Sequence, residues 1–263
     1  MKRGLIGYSG FVGSNLARQA RFDQFYNSKN IGEIRGQHFA ELFCAGVPAL
    51  KWWANKYPDQ DWLNIRKLLI NLEQVTADRF VLISTVDVYS DPVCVDEASS
   101  INSEELEPYG KSRRRVEEFV QSRFPVFNII RLPGLFGKGL KKNAIYDFIH
   151  LNEIEKIHSD SKYQFYNLES IAKDIRIAIE NDLQIINFAT EPVRVHEICA
   201  YVFDSKFESK PNIRPAAYDM RTRYAHLYDS EEPYMVWKNQ TLSEIKHFME
   251  VERRKLGNEI GRL

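Results

Sequence analysis

Short apolar runs alternate with segments of helical periodicity along the first half of the chain. Residues 81–83 and 127–130 have the length and composition of strands that are buried on both faces of a parallel sheet. Between them, Val116, Phe119 and Val120 recur at the spacing of one helix face. Alternating strand and helix patterns are typical of βαβ units, so we predict an α/β fold with a doubly wound parallel sheet.

The same patterns predict further elements and one unusual connection. We expect strands at residues 39–45 and 185–188, and helices at residues 62–72, 171–178 and 245–251. Only about a dozen residues lie between the second and third predicted strands, which is short for a crossover. This connection is therefore predicted to lack a full helix.

Three glycines join the first apolar strand to the first helical pattern, with the spacing GxxGxxG. A glycine-rich turn between a strand and a helix lets the backbone approach a pyrophosphate, which the amide end of the helix then binds. A plain turn would give the same local pattern, but the position after the first strand favours a dinucleotide site. The predicted cofactor-binding residues of this turn are Gly7, Ser9, Gly10, Phe11, Val12 and Gly13.

Two later segments are predicted to complete the cofactor site. A carboxylate that would bind the adenosine ribose is expected about twenty residues after the turn, but the chain has Asn27, Ser28 and Lys29 there. These polar and cationic side chains suit a phosphate as well as a hydroxyl, which favours NADP over NAD. Ala45 and Gly46 end another strand with small residues, where a cofactor can lie close to the backbone.

The chain becomes more charged and less regular after residue 137. We predict a dinucleotide-binding Rossmann domain at residues 1–137, followed by remaining sheet elements and a substrate-binding lobe at residues 138–263. Within the second part, Arg221 and Arg223 alternate with tyrosines in a stretch suited to a diphosphate and a flat ring. A plain surface segment is an equally good interpretation of this stretch.

Composition excludes several classes of function. Lys plus Arg equals Asp plus Glu at 36 each, so no net charge attracts nucleic acid or an anionic membrane. No apolar run approaches the roughly 18 residues that span a bilayer, and the first residues enter a strand, so we expect a cytoplasmic protein. Three separated cysteines and six scattered histidines predict neither disulfides nor a metal site.

A tyrosine and an arginine one helical turn apart form the best candidate for chemistry. Tyr109 is followed four residues later by Arg113, which places both side chains on one helix face. The pKa of free tyrosine is about 10, and a nearby cation favours the phenolate and makes the group a better proton shuttle. Thr85, at the end of the preceding strand, is expected to hold the substrate oxygen, although it also suits a bond to nearby backbone. Asp87 is expected either to contact substrate hydroxyls or to cap a turn.

The glycine turn, STVDVY at residues 84–89 and YGKSR at residues 109–113 resemble the extended short-chain dehydrogenase/reductase family. That family includes nucleotide-sugar epimerases, dehydratases and 4-keto-sugar reductases. The resemblance implies a nicotinamide cofactor, a small-molecule substrate and a homodimer. It also implies that Thr85 supplies the family's hydroxyl, that Tyr109 is the catalytic tyrosine, and that Arg113 orients the nicotinamide ribose.

The last matching segment is RLPGLFG at residues 131–137, which is similar to the family's RxxNVYG. The resemblance implies that Pro133 lines the nicotinamide and that Gly134 lies at a substrate position. Ser112 and Glu117 stand where the family has a serine and a trailing acid.

Three departures from the family pattern bear on the reaction. Arg113 replaces the family's lysine, which keeps the positive charge but cannot relay a proton. Val86 stands where a dehydratase of the family has a carboxylic acid, which argues against elimination of water. Gly134 replaces an asparagine of the family pattern, and because the keto-sugar reductases of the family also depart from that asparagine, this favours reduction.

The leading hypothesis is an NAD(P)-dependent oxidoreductase that reduces a keto group of a nucleotide-activated sugar. An epimerase is a closely related alternative, since it oxidises and then reduces the same sugar. A cofactor-binding sensor or scaffold with weak catalysis is the alternative from another class. The tryptophans Trp52, Trp53 and Trp62 are expected to pack against helices rather than to form a stacking surface.

Overall fold

Strands and helices alternate along residues 2–260, the part of the chain that this computed structural model describes. The strands are β1 (Arg3–Ile6), β2 (Gln24–Tyr26), β3 (His38–Cys44), β4 (Thr76–Thr85), β5 (Val93–Val95), β6 (Phe127–Leu132), β7 (Gly134–Phe136), β8 (Lys162–Tyr163), β9 (Phe165–Asn167), β10 (Ile185–Asn187), β11 (Val193–Arg194) and β12 (Asp219–Met220). The α-helices are α1 (Phe11–Gln19), α2 (Lys51–Lys56), α3 (Pro58–Leu72), α4 (Pro108–Arg123), α5 (Ala144–His150), α6 (Ile171–Glu180), α7 (Val195–Phe203) and α8 (Lys238–Ile260).

A six-stranded sheet in the order β10-β6-β4-β3-β1-β2 forms the centre of one unit of the chain. Every pair of neighbouring strands in this sheet is parallel. The unit consists of Met1–Leu132 and Glu169–Asn187, so α6 and β10 return to it late in the chain. The predicted α/β fold with a parallel sheet is confirmed.

Helices cover both faces of this sheet because successive strand residues point to opposite sides. On β3, Leu42 belongs to a core cluster with Ile65 of α3. The next residue, Phe43, lines a groove with Leu16 of α1 and Ile175 of α6. The sheet is therefore buried on both sides, as the continuous apolar runs predict.

The direction of winding reverses at β1, which lies between β2 and β3. From β2 the chain crosses to the other side of β1 through a single 3₁₀ turn, Ile31–Ile34, so the predicted short crossover is confirmed. The backbone amide of Gly7 donates to the carbonyl of Tyr26 at 2.7 Å, and the amide of Ala45 donates to the carbonyl of Ile6 at 2.9 Å. The carboxyl ends of three strands thus meet at the switch point, where open α/β sheets bind ligands.

The second unit consists of Pro133–Leu168 and Phe188–Leu263. It contains the parallel pair β7 and β9 and the antiparallel pair β8 and β11. Its core packs α5, α7 and α8 together through Phe148, Ile198 and Ile245. The predicted role of this region in binding substrate stays a prediction.

Helix α2 departs from the sequence expectations. It was not among the predicted elements, and within it Ala54 is fully buried whereas Trp52 is 65% exposed. Two residues along a helix lie about 200° apart, so a helix that buries Ala54 turns Trp52 outward. The expectation of helix packing is therefore wrong for Trp52, while Trp62 of α3 does pack against the core.

The other predicted helices are present with longer bounds. Helix α3 begins at Pro58, a residue suited to the first helical turn, and α8 extends well to either side of residues 245–251. Among residues 2–260, no helix combines the length and the apolar character needed to cross a bilayer.

Candidate active site

In the glycine turn after β1, neighbouring backbone atoms lie so close to two of the glycines that no side chain fits there. Gly7 has a φ of +81°, and a Cβ there would lie 2.5 Å from the carbonyl of Ala45. A Cβ at Gly13 would lie 2.1 Å from the carbonyl oxygen of Gly7. Real Cβ atoms do not tolerate such distances, so this tight turn requires glycine at both positions.

Helix α1 begins in this turn with its first amides directed out of the helix end. The Gly10 amide donates to the Gly7 carbonyl at 2.9 Å, and the Gly10 carbonyl accepts from the Ser14 amide at 2.8 Å. No side chain caps the helix at Gly10. The amides of the first turn, from Phe11 to Gly13, have no partner within the helix and suit an anion. The residues present therefore fit the pyrophosphate of a dinucleotide.

The segment after β2 forms a turn that leaves two polar side chains at the surface. The Asn27 side chain donates to the Tyr8 hydroxyl at 3.2 Å and accepts from the Lys29 amide at 2.9 Å. Ser28 and Lys29 are exposed. Asn27 thus holds the shape of the turn, and the predicted contact of Ser28 and Lys29 with a ribose or a phosphate stays a prediction.

Helix α4 brings Tyr109 against the end of β4. A Cβ at Gly110 would lie 2.0 Å from the Asp87 carbonyl oxygen, so only glycine allows the helix to approach this closely. The Tyr109 amide donates to Oδ1 of Asn55 at 2.9 Å, which fixes the start of the helix. The Tyr109 side chain is 7% exposed, and Thr85 is among the neighbours that act on the pKa of its hydroxyl.

The surroundings of Tyr109 act on its proton in opposite directions. Burial raises the pKa of Tyr109, the Arg113 guanidinium lowers it, and the Asp87 carboxylate raises it. The hydrogen bond from Thr85 and the Lys51 ammonium lower the pKa further, yet the net direction is upward. Arg113 thus acts in the expected direction, but burial outweighs the cation and the net pKa is raised.

Arg113 lies in a buried ion pair with Asp61 of α3. The two side chains are 4% and 1% exposed. Nη1 bonds Oδ2 of Asp61, and Nη2 bonds Oδ1 of Asp61 at 3.1 Å and the carbonyl of Pro48. The guanidinium also lies over the Tyr109 ring at 3.9 Å from its centroid. Protein groups therefore bind both terminal nitrogens, and only the buried Nε lacks a partner. The predicted contact with a ribose stays a prediction.

Asp61 is a site residue that the sequence analysis missed. The buried face of α3 includes Ile65, Leu69 and Leu72, and one turn earlier the same stripe reaches Asp61. A carboxylate on a buried stripe needs a buried cation, so the extended stripe was the available signal.

Glu117 of α4 forms a second buried ion pair. It is fully buried and accepts hydrogen bonds from Nε and Nη2 of Arg131 at 3.0 and 2.7 Å and from Ser84 at 2.6 Å. Arg131 is on β6 and Ser84 is on β4, so Glu117 fastens α4 to two central strands. The position of Tyr109 therefore depends on charged anchors along the same helix.

Asp87 pairs with a lysine that the sequence analysis did not single out. Nζ of Lys51 lies 2.6 Å from Oδ1 of Asp87. The Thr85 hydroxyl donates to Oδ2 of Asp87 at 3.3 Å and accepts from the Asp87 amide at 3.2 Å. Thr85 thus bonds nearby backbone, as one interpretation predicted, and also contacts Tyr109. Asp87 neighbours the candidate proton donor.

The remaining predicted residues lie in the second unit. Pro133 is buried directly after β6, and Gly134 is the exposed first residue of β7. Arg221 forms an ion pair with Asp219 at 3.0 Å, and Arg223 is exposed. Their roles toward cofactor and substrate stay predictions.

Comparison with known proteins gives matches among solved structures. No protein-family model matches the chain, and no curated protein sequence matches it. A dTDP-4-dehydrorhamnose reductase from Clostridium acetobutylicum superposes with a TM-score of 0.70 at 15% identity, over 95% of this chain and 99% of that chain. UDP-glucose 4-epimerase from Thermotoga maritima, solved with UDP-glucose, gives 0.73 at 14% identity, over 97% and 100%.

A third neighbour is an NAD-dependent NDP-hexosamine 5,6-dehydratase involved in tunicamycin biosynthesis. Its TM-score is 0.68 at 15% identity, over 98% of each chain. The three neighbours differ in reaction but share one architecture. This chain therefore has the same α/β fold as these reductase, epimerase and dehydratase structures.

Proposed function

We propose that the protein is an NAD(P)-dependent oxidoreductase that reduces a keto group of a nucleotide-activated sugar. The observation that carries the proposal is the segment of residues 45–55, which contacts both halves of the candidate site. At one end, Ala45 packs against Gly7 of the glycine turn. Further along, the Pro48 carbonyl binds Arg113, and Asn55 binds the Tyr109 amide. A dinucleotide cradle and a buried phenol are thus joined by one short stretch of chain.

The bound nicotinamide would supply the hydride, and the chain would supply the proton. The oxygen of the reduced carbonyl group would take the proton of the Tyr109 hydroxyl, which would leave Tyr109 as a phenolate. The raised pKa of Tyr109, caused chiefly by burial, keeps the phenol protonated and able to donate at neutral pH. Thr85 positions the oxygen, and the guanidinium of Arg113 above the ring stabilises the phenolate that remains.

Similarity to a reductase, an epimerase and a dehydratase supports sugar nucleotides as the substrate class. The raised pKa keeps Tyr109 protonated, which is the form in which the reduction begins. An epimerase would use the same residues but would consume no net cofactor.

The test offers purified protein NADH and NADPH with a panel of nucleotide-activated keto sugars and follows cofactor oxidation by absorbance. Tyr109→Phe should lower the rate by about 10²- to 10⁴-fold, the usual contribution of a general acid. Tyr146→Phe, which removes a hydroxyl in the second unit, is the control and should leave the rate unchanged. Equal rates for the parent and Tyr109→Phe would refute the assignment, and cofactor binding without turnover would favour a sensor. Sugar conversion without net cofactor oxidation would identify an epimerase.

A further inference from the structure

Helix α2 extends two side chains, one turn apart, toward the residues around Tyr109. Lys51 bonds the Asp87 carboxylate at 2.6 Å, and Asn55 accepts from the Tyr109 amide at 2.9 Å. Residues four apart share one face of a helix, so the contact of Asn55 with α4 also holds Lys51 in place. This face of α2 belongs to the candidate site.

The two cations near Tyr109 differ in what they can do with a proton. The charged groups that act on the phenol are Arg113, Asp87 and Lys51, and Asp61 pairs with Arg113. Arg113 is buried, and a guanidinium stays protonated throughout the working pH range, so it cannot return a proton to the phenolate. The Lys51 side chain is 43% exposed, and an ammonium can exchange protons with water.

We propose that Lys51 is the group that recharges Tyr109 with a proton, acting through Asp87 and Thr85. The inference rests on the function proposed above, in which each turnover leaves Tyr109 as a phenolate. Lys51 is then a proton-supplying residue that acts through its neighbours, since it is not shown to touch the reacting atoms. It would take over the relay that the family's lysine performs and that Arg113 cannot perform.

Hydrogen bonds join Lys51 at the surface to Asp87 and Asp87 to Thr85, and Thr85 in turn acts on the phenol of Tyr109. A proton on Nζ of Lys51 passes to Oδ1 of Asp87, across 2.6 Å. The protonated carboxyl group of Asp87 then turns about its Cβ–Cγ bond, so that its O–H faces Thr85, where a carboxylate oxygen and the Thr85 oxygen lie 3.3 Å apart. That proton passes to the Thr85 oxygen as the Thr85 hydroxyl proton moves to the phenolate oxygen of Tyr109. Lys51 is left as a neutral amine and takes a proton from water, so every proton is accounted for.

The first experiment needs no substrate and observes Tyr109 alone. A fluorinated tyrosine placed at position 109 ionises at lower pH than tyrosine, and its ¹⁹F NMR signal reports the titration apart from the other tyrosines. Removing the ammonium with Lys51→Ala should raise the titration midpoint, because a stabilising cation is lost and Asp87 is left uncompensated. Lys56→Ala, on the same helix, is the matched control and should leave the midpoint unchanged. An unchanged midpoint in Lys51→Ala would overturn the proposal.

The second experiment separates proton exchange from charge. In the reduction assay, Lys51→Ala should lower kcat by about tenfold or more with little change in KM, and added ethylamine should restore the rate. Lys51→Arg keeps the charge but cannot release a proton, so it should stay slow. A Lys51→Arg variant as fast as the parent would overturn the relay. A parent that reduces no sugar, with the midpoint shift still present, would refute the proposed reaction and still support the coupling of Lys51 to Tyr109.

Discussion

Removing the charge of Asp61 should destabilise the protein far more than breaking an ion pair at the surface would. Both members of the pair are almost completely buried, at 1% and 4% exposure. In Asp61→Asn, the guanidinium of Arg113 keeps its bonds to the Pro48 and Tyr109 carbonyls but loses its counter-charge. Breaking a buried pair by removing one partner costs about 3–5 kcal/mol, since the remaining charge stays desolvated. We therefore expect a loss of about 3 kcal/mol in the free energy of unfolding.

The assay is urea unfolding of the protein, monitored by circular dichroism. Asp182→Asn is the matched control, because Asp182 also pairs with an arginine, Arg79, but its side chain is 81% exposed. Such surface pairs contribute about 0–1 kcal/mol. The double variant Asp61→Leu/Arg113→Met should recover most of the stability, since apolar groups can replace both charges together. The reasoning is refuted if Asp61→Asn costs no more than Asp182→Asn, or if the double variant is as unstable as the single one.

Three further predictions concern the cofactor turn and the proton donor. Gly13→Ala should weaken NADH and NADPH binding at least about tenfold in calorimetry, because the new Cβ meets the Gly7 carbonyl. Gly32→Ala is the control, since a Cβ there meets nothing within 4 Å and should leave binding unchanged. Equal cofactor affinities for the two variants would contradict the role of the glycine turn. Lys29→Glu should weaken NADPH roughly tenfold and spare NADH, as one phosphate contact is lost, and equal losses for both cofactors would exclude the role of Lys29 in selecting NADP. The pKa of Tyr109 is raised, chiefly by burial, so the phenol stays protonated as the pH rises past neutrality. The pH-rate profile should therefore show no loss of reduction from this group until above about pH 10. A Tyr109-dependent decline in rate near about pH 8 would contradict this.

The sequence pattern predicted the parts of the fold that depend on one element at a time. Continuous apolar runs identify buried parallel strands, and the glycine spacing identifies the turn after β1, since both are local properties. Tyr109 was found from its spacing to Arg113, whereas Glu117 was named only because its segment resembles a known family.

The missed features depend on contacts between elements that are distant in sequence. Asp61 is on α3 and Arg113 is on α4, and nothing in the sequence around Arg113 shows that its charge is paired. Lys51 lies on a helix of only six residues, too short to give a periodic pattern. Trp52 was assigned to packing from its size, whereas its orientation is set by which face of α2 meets the core.

Because β1 lies between β2 and β3, the loop after β2 and the segment after β3 lie on opposite sides of one strand. Residues 27–29, which would choose between cofactors, follow β2, whereas the segment that holds Tyr109 and Arg113 follows β3. A change of cofactor preference can therefore arise by substitutions in one loop, without disturbing the hydroxyl, amide and ammonium groups on the far side. The fold thereby leaves cofactor choice and proton chemistry free to evolve independently.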